Sequence, residues 1–180
     1  MTAFVALLRA VNVGGTGKIA MADLRALGEG LGFAAVATIL QSGNLVFSAE
    51  GTAEALARSL GAAIEAAHGL RPDVAVRTAR ELDAAIGCNP FVAEAEADPA
   101  HVLVGFSASV PSPEAGRQVA AVKVARERLV LAGRELYAWY PDGIGRSKVT
   151  SALLEKALGT PLTMRNWTTV RKIAAALSRL

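Results

Sequence analysis

Residues 12–19 read NVGGTGKI, between the apolar run AFVALLRAV and the helical pattern MADLRALGEGL. A glycine loop ahead of a helix frees backbone N–H groups, and together with Lys18 such a loop favours an anion. It is not a Walker A loop, which requires G-x-x-x-x-G-K-[ST]. Asn12 stands where the first glycine belongs, and Ile19 stands where the magnesium-binding hydroxyl belongs. The anion reading therefore rests on Gly14, Gly15 and Lys18, beside the alternative of a tight surface turn.

Gly143-Ile144-Gly145-Arg146-Ser147-Lys148 is a second glycine loop leading to a helix. Ser147 is expected to cap that helix, with Arg146 and Lys148 at its positive end. Cations there oppose the helix dipole, and an anion would relieve the conflict; the alternative is that both side chains extend into water. Arg165-Asn166-Trp167 offers a fork donor, an amide and an aromatic ring, a set that holds a phosphate and stacks a base, or else anchors and caps a helix start. Gln41-Ser42-Gly43-Asn44 joins two strand-like runs, where a turn requires glycine or asparagine but not glutamine and serine. Arg9 lies inside an apolar run with Val5, Leu7 and Val11, so it needs a carboxylate or a ligand as partner.

Other chemistries find little support. There is no G-x-S-x-G elbow and no H-E-x-x-H motif. Cys88 is the only cysteine, which excludes an internal disulfide and suits a reducing compartment. With His68 and His101 as the only histidines, no metal site is expected. No apolar run is long enough to span a bilayer and no export signal precedes the chain, so a cytoplasmic location without membrane partners is expected. Charge is polarised: residues 1–116 carry 7 Lys/Arg against 12 Asp/Glu, and residues 117–180 carry 12 against 4. A basic second half suits an anionic partner, or simply attraction between the halves.

The elements that must position these stretches follow from periodicity. Apolar residues from 3 to about 12 predict a strand covered on both faces. Leu24, Leu27 and Leu31 predict a helix, AVATIL and NLVF a hairpin, and Leu56, Leu60 and Ile64 a helix capped by Thr52; DVAVRT completes the set. The order β-α-β-β-α-β is that of a ferredoxin-like fold, with strand 1 between strands 4 and 3. Loop 12–18 and hairpin 41–44 then share one end of the sheet. Thr78 and Glu81 form a capping box. Residues 87–100 read as a loop or linker. The rest reads β-α-β-β-α-α, a degenerate copy with a helix from about Arg165 in place of the last strand. The boundaries are 1–78 for the ferredoxin-like half, 79–100 for a connecting helix and loop, and 101–180 for the second α+β half.

The stretches LRAVNVGGTGKIAMADLRAL, LQSGNLVF, VRTARELDAAI, CNPF, GIGRSKVTSALLEKALG and TMRNWTTVRKI resemble, in order over nearly the whole chain, the bacterial domain-of-unknown-function family numbered 1697. The chain departs from the family pattern at Ala10, at Ala20 and at Thr168, while Thr16-Gly17 occupies the pattern's variable spot. The resemblance implies a compact α+β protein with ferredoxin-like elements and no established activity. The family's characteristic polar positions coincide with Arg9, Asn12, Gly14, Gly15, Lys18, Gln41, Ser42, Gly43, Asn44, Gly145, Arg146, Ser147, Lys148, Arg165, Asn166 and Trp167. The expectation is one polar, electropositive cleft between the halves, taking a nucleotide or a nucleic-acid backbone without a cofactor. An enzyme of unknown reaction, using neither metal nor disulfide chemistry, and a structural or interaction protein are the alternatives.

Overall fold

A computed structural model describes residues 1–12 and 17–180. Gly14 and Gly15 lie outside the described residues. The chain divides into two compact units, Met1–Ala84 with Arg171–Leu180, and Ala85–Val170.

The first unit opens with β1 (Thr2–Leu8), α1 (Met21–Gly30), β2 (Ala34–Thr38), β3 (Asn44–Ala49), α2 (Ala53–His68) and β4 (Val74–Thr78). Its sheet order is β2-β3-β1-β4, antiparallel throughout, the ferredoxin-like arrangement. One face of the sheet packs Phe4, Ala6, Leu8, Leu45 and Phe47 against Leu24 of α1 and Leu56, Leu60 and Ile64 of α2. Burying each of these larger side chains contributes roughly 1.5–3 kcal/mol. α2 is bounded as its sequence dictates: Ala55 N donates to Thr52 Oγ1 at 3.2 Å, and Gly69 ends the helix in the left-handed conformation. After β4, α3 (Ala79–Gly87) starts from a reciprocal capping box. Thr78 N donates to Glu81 Oε2 at 2.8 Å and Glu81 N to Thr78 Oγ1 at 3.1 Å.

β1 ends at Leu8, not near residue 12, because Ala10 and Asn12 take positive φ and turn the chain. Arg9 is thereby moved out of the apolar strand. It is part-exposed and meets Asp73 at 3.8 Å, so the partner its placement demanded is a carboxylate. The deeply buried arginine of this unit is Arg77, 1% exposed, with Nη1 donating to Val76 O at 3.0 Å.

The second unit repeats the order. A short helix α4 (Val92–Ala97) occupies part of the stretch read as a loop; then come β5 (Val102–Ser107), α5 (Ala115–Ala120), β6 (Arg128–Ala132), β7 (Glu135–Trp139), a single 3-10 turn (Ile144–Arg146), α6 (Ser151–Leu158), β8 (Leu162–Asn166) and α7 (Trp167–Leu177), which belongs to the first unit from Arg171 onward. The sheet order β6-β7-β5-β8 matches β2-β3-β1-β4 strand for strand. The copy is thus less degenerate than its sequence suggests. Leu162–Asn166 is a strand pairing with β5, and α7 begins only at Trp167, so the expectation of a helix from Arg165 is corrected. Burial alternates only from Thr163 to Asn166, with Thr163 and Arg165 inside, and so short a run reads equally as a helix start. Register makes the repeat concrete. Val5 pairs with Arg77 and Phe4 with Thr78; Val104 pairs with Arg165 and Leu103 with Asn166. Each unit therefore ends its sheet with a buried arginine followed by a capping residue, Thr78 or Asn166.

Tyr137, Trp139 and Tyr140 serve packing. Tyr137 and Tyr140 are buried, and Arg128 lies between Trp139 at 4.6 Å and Phe91 at 5.0 Å while pairing with Glu94. No helix among the described residues is long and apolar enough to cross a membrane.

Candidate functional site

The loop from Tyr140 to Val149 is held at both ends by buried side chains. Tyr140, fully buried, donates its hydroxyl to Val149 O at 3.1 Å, and burial pushes its phenol up to about 12. Gly143 takes φ +80° to close the first turn, with its N–H on Tyr140 O at 3.0 Å. The 3-10 turn follows, and Thr150 then caps α6, accepting from Leu153 N at 3.3 Å.

Ser147 is therefore not the helix cap expected of it. Its hydroxyl accepts from Val149 N at 3.0 Å and donates to Glu127 Oε1. Glu127 also accepts from Ala125 N at 2.8 Å and Arg126 N at 3.1 Å through its other oxygen. These donors, the Ser147 hydroxyl first, lower the Glu127 carboxyl from its ordinary 4.5 to about 2. Arg126 in turn grips Asp142 at 3.0 and 3.1 Å. Segment 125–127 thus fixes segment 142–147 by charge-assisted hydrogen bonds. Because α6 starts three residues after Lys148, the dipole argument for Arg146 and Lys148 no longer applies.

What remains is more specific. The loop and the preceding connection enclose a cavity of about 400 Å³, of the size that takes small ligands. Lys123, Arg146 and Lys148 line it, and none of the three makes an ion pair or side-chain hydrogen bond among the described residues. Its acidic groups are both engaged, Glu127 by the loop and Asp142 by Arg126. Val124, Pro141 and Val149 supply an apolar wall. The lining thus sets three cations that form no ion pair, with the ionised Glu127 among them, beside an apolar surface.

The remaining residues fall into two groups. In the first unit, Asn12 Nδ2 donates to Ile19 O and Gln41 O, each at 2.9 Å, and Asn12 Oδ1 accepts from Ile19 N at 2.9 Å. Asn44, fully buried, donates to Ile39 O at 2.7 Å and to Ser42 Oγ at 3.0 Å. Gly43 takes φ +75°, where an added Cβ would lie 3.1 Å from Leu8 Cβ. Loop and hairpin are thus joined at one end of the sheet, as the topology requires, with Lys18 exposed beside them. Gln41 takes part through its backbone carbonyl.

In the second unit, Trp139 pairs with Val102 and Asn166 with Leu103. The corner after β8 and the loop after β7 therefore flank the start of β5 at one end of the sheet. Arg165 is buried, donating to Met164 O at 3.0 Å, and burial lowers its guanidinium to about 10. Asn166 Oδ1 caps α7 through Thr169 N at 2.9 Å, and Trp167 N donates to Pro99 O at 3.1 Å. Gly145 is exposed in the 3-10 turn. Lys123 and Glu127 lie in no motif; the only trace of Lys123 in the sequence is the basic excess of residues 117–180, and Glu127 leaves none.

No curated protein matches the chain. A solved structure, the conserved bacterial protein SP0830 of Streptococcus pneumoniae, superposes with a TM-score of 0.79 at 22% identity, covering 98% of each chain. That likeness concerns the fold: two four-stranded antiparallel sheets with helices. The family model for proteins of unknown function, DUF1697, matches residues 1–137, which include the opening loop, the hairpin and the capping box; the chain belongs to this family.

Proposed function

We propose that the second unit binds a small phosphate-bearing ligand in the cavity bounded by segments 123–127 and 140–149. The observation that carries the reading is the trio Lys123, Arg146 and Lys148, outside any ion pair among the described residues around a cavity of about 400 Å³, where Glu127 is the one carboxylate not already paired with a cation. Three like charges on one concavity repel one another, Glu127 offsets only part of that charge, and an anion neutralises the remainder. The apolar wall of Val124, Pro141 and Val149 suits a nucleoside better than bare phosphate. An extended nucleic-acid strand is less well served, since the aromatic rings nearby are buried or covered by Arg128. Glu127, held ionised by its hydrogen bonds, supports the loop.

The test is binding of pyrophosphate, mononucleotides and an oligonucleotide to the full chain by calorimetry, repeated across salt concentrations. The expected result is mononucleotide binding with a shallow salt dependence that weakens at least tenfold in Lys148→Ala and Arg146→Ala. A steep salt slope with the oligonucleotide alone indicates a nucleic-acid backbone instead. Absence of binding by all three probes at low salt, with the protein folded, overturns the reading.

A further inference from the structure

A second cavity, of about 790 Å³, lies between α5 and α6 and shares Lys123 and Lys148 with the first. The two cavities therefore meet at a pair of lysines. Beyond that pair, the second cavity is walled by Val122, Leu153 and Ala157, with Lys156 at its rim. Its acidic residue, Glu114, is engaged by Arg117, whereas Lys156 pairs with no group among the described residues. Each cavity alone is of small-ligand size. Each combines an apolar wall with a cation of its own, Arg146 on one side and Lys156 on the other.

Building on the phosphate-binding reading, we infer that the ligand has two bodies joined through phosphate. The bridging phosphates sit at Lys123 and Lys148, and one nucleoside lies in each cavity. The class this fits is a pyrophosphate-bridged dinucleotide. A mononucleotide fills one cavity and leaves the other wet. A linear polyphosphate satisfies the cations but leaves both apolar walls uncovered, including Leu153, which is 38% exposed. Placing phosphate where the cations are shared, and the less polar groups at the two ends, matches the order of charge along the pair of cavities.

The experiment compares adenosine diphosphate with diadenosine pyrophosphate on the full chain by calorimetry. The dinucleotide carries less charge than the diphosphate, so charge alone predicts weaker binding. The expected result is that diadenosine pyrophosphate binds at least tenfold tighter. Leu153→Glu and Ala121→Trp, which block the second cavity from exposed positions, should abolish that advantage, bringing diadenosine pyrophosphate down to the affinity of adenosine diphosphate. Arg146→Ala should weaken both. If both probes bind equally, and the second-cavity variants change neither, the two-body inference is overturned while the phosphate-binding reading stands. If neither probe binds and pyrophosphate also fails, both are overturned. Circular dichroism of each variant confirms that the loss is not one of folding.

Discussion

Asn12, which disqualifies the opening loop as a nucleotide motif, is the residue that gives that loop its form. Its side chain makes three hydrogen bonds of 2.9 Å, two to Ile19 and one to Gln41 O, from a half-buried position with φ +57°. Each such bond contributes about 0.5–1.5 kcal/mol net. Asparagine also tolerates the left-handed conformation, which costs an ordinary L-residue roughly 1–2 kcal/mol. Asn12→Gly removes the bonds without the strain and should destabilise by about 2–4 kcal/mol, once the added freedom of glycine in the unfolded chain is included. Asn12→Ala removes the bonds and adds the strain, so it should fall roughly 0.5–1 kcal/mol lower still. Asn12→Asp keeps the acceptor for Ile19 N but turns a carboxylate oxygen toward two carbonyls, and should be at least as damaging as alanine. Urea denaturation, with the midpoint read at constant slope, ranks the variants. If Asn12→Ala lies within about 0.5 kcal/mol of the natural chain, the clip is not what holds loop and hairpin together and the reasoning fails.

Two further outcomes follow from the second unit. Tyr137 is 1% exposed and donates to Ala85 O at 2.6 Å, so Tyr137→Phe leaves a carbonyl without this donor and should cost roughly 1–3 kcal/mol in urea denaturation. A loss below about 0.5 kcal/mol refutes the claim that this bond ties α3 to β7. Glu127 titrates near 2 in the folded chain against an ordinary 4.5, so its support of loop 142–147 is fully present above about pH 4.5 and lost as pH falls toward 2. Amide signals of Ser147 and Val149 in the folded chain should shift with a midpoint near pH 2 in the natural chain and not in Glu127→Gln; a flat response in both contradicts the assignment.

Periodicity and capping signals made most of the fold legible. The Leu56, Leu60, Ile64 stripe, the Thr52 and Gly69 boundaries, the Thr78–Glu81 box and the glycine hairpin at 41–44 are all local, and local chemistry decides them. The ferredoxin-like order of the first unit followed, because element order constrains strand order so tightly. β8 did not, since its strand state depends on pairing with β5, a partner some 60 residues away that no local window contains.

The same division runs through the candidate sites. Residue types in QSGN, GIGRSK and RNW marked places where folding alone needed less polarity. Only the tertiary structure assigned them. Asn12, Asn44 and Asn166 became backbone clips, Arg9 found Asp73, and Arg165 went inside. Lys123, from a stretch with no motif, was brought beside Arg146 and Lys148 because α5 and α6 pack against β7 and its sheet. Sequence by itself determined where the chain would turn, cap and hide its apolar faces, since these depend on neighbours within a few residues. Which cations would be neutralised and which left facing a cavity depended on long-range packing, and only the fold decided it.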